Sequence, residues 1–311
     1  MQLGLALALP IALTAWIALR RLVPNGRVDL TALVYLRAPL NALAFRVRAL
    51  LGRAPRAARV ESEAKSDLFD YLSGADATAA VARTRDLEQS FDLRALRDAS
   101  TRDVYRDNLY RLDILDRLVT PYLDTTAGSL RAIDAGSQDF RYATALERWL
   151  RHAGTLVPRD VALDGVEVDG HGLYPDLSTR ASHADRHASL TGNSRVRYRI
   201  ENFSETHDRG IDVVFAWFPF VLRYALLRWG LPLRFFAPRR FFERASDALA
   251  GGGLLVVVTH THEERDRLRE ILAPMTELRV VAASPAPSRL VAYWDEVPER
   301  WVTIAEKRRG P

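Results

Sequence analysis

Residues 130–142 read LRAIDAGSQDFRY. The apolar residues Leu130, Ala132 and Ile133 lead into Asp134 and then Gly136. That is a strand running into a glycine turn. A glycine there accepts a positive φ and lets backbone come close to a ligand. Open parallel sheets bind ligands beyond the carboxyl ends of their strands. An acid and a glycine at a strand tip therefore point to a nucleotide-like cofactor. The dinucleotide fingerprint G-x-G-x-x-G would need further glycines at 138 and 141, where Gln138 and Arg141 stand, so NAD fits poorly.

The chain after this stretch alternates. LRAIDAG is strand one, and TALERWLRHAG is a helix ending near Gly154. VALDGVEVD, VRYRIENF and IDVVFAWF are strands two to four. FFERASDALAGGG is a helix stopped by glycines, LLVVVTH is strand five and ERDRLREILAP a helix. LRVVAAS and RLVAYWD are strands six and seven, only a few residues apart. So short a gap cannot hold a helical crossover and predicts an antiparallel pair. The pattern is a mostly parallel sheet with helices on both faces and a reversed last strand.

This order resembles the class I S-adenosylmethionine-dependent methyltransferase family, a seven-stranded Rossmann-like α/β fold. AIDAG (132–136) resembles its first motif, with Asp134 and Gly136. GVEVD (165–169) resembles the end of its second strand and puts Glu167 where the family uses an acid for the ribose hydroxyls. ENF (201–203) resembles the loop beside the adenine, with Asn202 where an aspartate is usual. IDVVFAWFPF resembles the fourth motif. The resemblance covers about residues 100–296 and implies S-adenosylmethionine as cofactor, held by Asp134, Gly136, Ser137, Gln138, Glu167, Asn202 and Ala216. Gln138 and Phe140 replace the family's next two glycines. Either the loop takes a wider path, with Ser137, Gln138 or Asp139 at the cofactor's amino acid end, or Phe140 fills the pocket.

Upstream, LGLALALPIALTAWIAL (3–19) is seventeen residues without a charge, at the lower limit for a membrane span. Residues 1–60 hold nine arginines and one acid, a net of +8. The whole chain carries +5, so residues 61–311 sum to −3. The positive-inside rule then predicts a single-pass inner-membrane protein with a cytoplasmic body. A mildly acidic body argues against a nucleic-acid partner. The expected divisions are an anchor over 1–23, a basic amphipathic and linker segment over 24–76, and body helices over 77–129. The Rossmann-like domain follows over 130–296, then a basic tail over 297–311. The chain has no cysteine, which excludes disulfides and thiolate chemistry.

WFPFVLRYALLRWGLPLRFFAPRRFF (217–242) follows strand four. It is either ordinary core or a greasy substrate wall, with Trp217, Phe220 and Arg223 as the substrate-binding candidates. THTHEE (259–264) puts His260 and His262 near the strand tips as candidate general bases, or else as a helix-capping turn. His183 and His187 share a helical face but lack a third ligand, so no metal is expected. These readings converge on a membrane-anchored methyltransferase for an amphiphilic or membrane-linked small molecule. The alternatives are a cofactor-free binding or scaffold protein on the same fold, and a tethered methyltransferase for a soluble substrate.

Overall fold

A computed structural model describes residues 34–52, 56–58, 62–291 and 300–310. Seven strands form one sheet: β1 (Ser129–Ala135), β2 (Asp160–Val166), β3 (Val196–Arg199), β4 (Ile211–Trp217), β5 (Leu249–Thr259), β6 (Leu278–Pro285) and β7 (Trp301–Lys307). Their order is β3-β2-β1-β4-β5-β7-β6. The first five pair in parallel, and β7 runs antiparallel to both β5 and β6. The order reverses at β1, which opens the crevice between the tips of β1 and β4 where such sheets bind ligands.

The helices are α1 (Ala38–Leu51), α2 (Gly74–Phe91), α3 (Arg94–Ala99), α4 (Arg102–Ile114), α5 (Ala143–His152), α6 (Arg180–Leu190), α7 (Arg223–Trp229), α8 (Pro238–Ala248) and α9 (His262–Leu272). They cover both faces of the sheet. One buried cluster joins α2, α4 and α5 to β1, β4 and β5 through Leu87, Leu109, Trp149 and Phe215. A second packs α8 and α9 on the opposite face through Phe242, Val257 and Leu268. Central strands are apolar on both faces, which is why LLVVV reads as an uninterrupted run. The glycines expected to stop α8 instead lie inside β5. Gly253 is hemmed in there by carbonyl oxygens of Ile211 and Ala250, 2.9 and 3.0 Å from where a Cβ would sit, beside a bulge against β4.

The last strand lies at 301–307, and of the stretch 289–295 expected to form it only 289–291 are within the described residues. Residues 289–291 form a turn, and β7 lies at Trp301–Lys307, inside the segment expected to be a basic tail. Leu290 is apolar because it plugs the core, with its amide on the Ser288 hydroxyl. Val302 and Ile304 are wholly buried between two neighbours, which gives them the stronger claim to a central position.

The single-pass inner-membrane placement is also corrected. Among the described residues no helix is long and apolar enough to cross a membrane. The run 3–19 and the whole 1–23 segment lie outside the described residues.

Candidate cofactor and acceptor pocket

At the tip of β1, Gly136 has φ 85° and its amide donates to the Val166 carbonyl at 2.8 Å. The next two turn positions are where glycines were expected, and the backbone behaves as if glycines were present. Gln138 has φ 56° and Phe140 φ 53°, both left-handed. For residues with a Cβ that conformation costs roughly 1–2 kcal/mol each. It persists only where the surroundings over-determine it.

Gln138 is held from both sides. Its amide donates to Glu167 Oε2 at 3.0 Å, and its carbonyl accepts the Tyr198 hydroxyl at 2.7 Å. Phe140 is held by packing. Its ring is fully buried and lies near those of Tyr142 and Tyr198. The space it takes is vacated by Gly165, where a Cβ would stand 3.0 Å from the ring. Phe140 therefore sits under the loop and does not fill the pocket. Phe218, at the tip of β4, is left-handed too, with φ 56°. Its amide donates to the Val258 carbonyl at 2.7 Å.

The loop and the β4 tip border a cleft of about 820 Å³, part of it open to solvent. One half is polar, with Gly136, Gln138, Glu167, Glu201, Asn202 and Ser204. The other half is walled by Trp217, Phe220, Leu226, Trp229, Leu231 and Phe235. Val168 and Phe203 also line the cleft. Glu167 is buried, and its other oxygen accepts the Asp169 amide at 2.8 Å. Burial raises its pKa, against the pull of Arg180 and the two amides. Asp169 is buried as well and carries ion pairs to both Arg48 and Arg180 at 3.2 Å.

Beneath the floor lies a group the sequence reading missed. Arg111 of α4 is buried, its guanidinium carbon 3.6 Å from the centroid of the Tyr142 ring and 4.6 Å from that of Trp217. Its Nη1 donates to Asp107 at 2.8 Å. The one sequence signal for it was an Asp–Arg pair at i, i+4, which reads equally as a solvated surface pair. Asp134 is wholly buried, and burial pushes its pKa up to about 7, against the Tyr142 hydroxyl and Arg111, which lower it.

The remaining candidates are dispersed. Ser137 is buried and does not line the cleft, and Ala216 lies behind the tip, in β4. Asn202 caps a short turn by accepting the Ser204 amide. Arg223 is exposed at the start of α7, 5.5 Å from the Phe236 ring centroid and outside the cleft lining. His260 and His262 are exposed and do not line the cleft. The His260 ring stacks on Phe218 at 3.8 Å, and its amide donates to Glu264 Oε2 at 2.7 Å. His183 and His187 hydrogen-bond Ser178 and the Asp139 carbonyl. No group of three metal-ligating side chains occurs among the described residues.

No family model and no curated protein matches the chain. Solved structures do. One is a methyltransferase from Aquifex aeolicus described as SAM-dependent, 13% identical over 66% of this chain and 97% of that one, with TM-score 0.44. Another is an O-methyltransferase from Thermotoga maritima, also SAM-dependent by description, 17% identical over 63% and 65%, with TM-score 0.40. A third is the (4+2)-cyclase SpnF, 15% identical over 64% and 81%, with TM-score 0.44. The chain's own strand order, with β7 reversed between β5 and β6, is that of the seven-stranded Rossmann-like methyltransferase fold.

Proposed function

We propose that the cleft binds S-adenosylmethionine and that the protein transfers its methyl group to an apolar or amphiphilic small molecule. The observation that carries this reading is the division of one cleft into two chemistries. The polar half lies beyond β1, β2 and β3, and the aromatic half is built from the segment after β4.

The residues present suit such a cofactor. Each oxygen of Glu167 accepts one amide and keeps a further acceptor site for a ribose hydroxyl. Val168 and Phe203 offer apolar surfaces for a purine ring. When bound, the cofactor supplies an electrophilic methyl group on a sulfonium. The chain's part is to position and to keep water out. Trp217, Phe220 and Leu226 orient an apolar acceptor, and among the described residues no histidine or lysine lines the wall to take a proton. Positioning alone supplies a large share of such a rate.

A cofactor-free binding protein is the second reading. It is favoured by Glu167, whose carboxylate already serves two backbone amides. Calorimetric titration of the full chain decides between them. S-adenosylmethionine or its demethylated product is expected to bind with micromolar affinity, about −8 kcal/mol, and Glu167→Ala to weaken it tenfold or more. Absence of any heat at millimolar ligand would sink the enzyme reading.

A further inference from the structure

α1 has two apolar sides, and only one is covered by the described residues. Inward, Asn41 is buried and its amide donates to the Leu227 and Leu231 carbonyls at 2.9 and 3.2 Å. Phe45 packs on Phe235, and Arg48 pairs with Asp169. The helix thus lies along the outside of the aromatic wall of the cleft. Outward, Leu36, Leu40, Leu43, Val47 and Leu50 stand in a row at intervals of four and three residues, between 43 and 67% exposed. Arg37 and Arg46 flank the row and are exposed. No acid occurs between Asp29 and Glu61.

We infer that this outer face docks on an anionic lipid surface, lying in the interface and not crossing it. Exposed leucines at helical spacing bury readily among acyl chains, and flanking arginines pair with anionic headgroups. Charge decides against a second copy of the helix. The same spacing would suit a helix pair, but Arg37 and Arg46 would then occupy the flanking positions, with no acid on either helix to answer them. Docking through this face places the aromatic half of the cleft next to the lipid. The contact is independent of the cofactor reading, so either test can fail alone.

The absence of cysteine makes the test clean. Full-length protein with Leu43→Cys, labelled with a polarity-sensitive fluorophore, is mixed with phosphatidylcholine vesicles with or without phosphatidylglycerol. Leu156→Cys, at a fully exposed loop position, is the control. The probe at 43 should shift to the blue on phosphatidylglycerol vesicles, and the probe at 156 should not. Leu40→Asp with Val47→Asp should lower partitioning tenfold or more, and Arg37→Gln with Arg46→Gln threefold or more. A probe at 43 that still reports water while the protein sediments with vesicles overturns the inference. So does a concentration-dependent shift without vesicles accompanied by a doubled mass, which would assign the face to a second copy.

Discussion

The ring of Phe140 occupies the space that a side chain at Gly165 would need. Gly165 sits near the end of β2 and Phe140 in the loop beyond β1, and the missing side chain of one is the condition for the other. The same built Cβ would also stand 3.0 Å from Ser137 Oγ. Gly165→Ala is therefore expected to cost about 1–3 kcal/mol, the usual penalty of overpacking. Phe140→Leu in the same chain should recover part of it. Urea unfolding of the single and double variants measures the coupling, and strict additivity would show that the two do not contend for one space.

Gln138 tests the strain in the turn. A β-branched residue tolerates a positive φ poorly, so Gln138→Val should lose roughly 1–2 kcal/mol. Gln138→Gly relieves the strain but adds freedom to the unfolded chain, worth about 0.4–1 kcal/mol in the opposite direction. It should stay within about 1 kcal/mol of the parent. Equal stability for the valine and glycine variants would contradict a left-handed residue at this position.

Asp134 predicts a pH dependence of definite sign. Its ordinary value is 3.8, and burial pushes it up to about 7 in the folded protein. The folded state thus holds a proton that the unfolded state releases. This contribution to stability is full below about pH 4, falls by about 1.4 kcal/mol per pH unit as pH rises towards 7, and is then flat. Asp139 and Asp113 have lowered values and push the other way. The comparison with Asp134→Asn isolates the term, because a neutral amide cannot titrate. The asparagine variant should gain on the parent steadily between pH 4.5 and 7. Parallel curves would exclude a proton on Asp134.

Arg111 should matter for packing more than for its ion pair. A desolvated cation over an aromatic face is worth about 2 kcal/mol or more, and Arg111 lies within reach of three rings, those of Tyr110, Tyr142 and Trp217. Arg111→Ala is expected to cost about 2–4 kcal/mol through the lost cation–π contact and the cavity left behind. Arg111→Met, which keeps the volume and removes the charge, should lose less, since hydrophobic replacement of a buried ion is often tolerated. Thermal denaturation ranks the three proteins, and a methionine variant weaker than the alanine one would count against this account.

The turn at Gly136, the acid at 167 and the aromatic segment after β4 were legible because each is local, a few residues whose types suffice. The fold class followed from alternation, which needs no tertiary knowledge. What escaped was non-local. Nothing near Gln138 or Phe140 announces that they adopt glycine's backbone. The cause lies in Glu167, Tyr198 and Gly165, which are distant in sequence. Arg111 escaped for the same reason, since only the fold turns it inward. The place of the last strand, at 301–307, escaped because apolar runs cannot reveal which of two will lie between neighbours. The histidines drew attention by their chemistry, yet their turn serves α9: Thr261 accepts the Glu264 amide as the helix begins.

The insertion of β7 between β5 and β6 bears on synthesis. β5 and β6 emerge from the ribosome first and never pair with each other. Until residues 301–307 follow, the nascent chain carries one apolar strand with a bare edge and another with no partner at all. Such edges invite pairing with neighbouring chains. The strand that closes the sheet is the last of the seven to be made. The most aggregation-prone moment of this protein's life should therefore fall between the appearance of Thr259 and the arrival of Trp301.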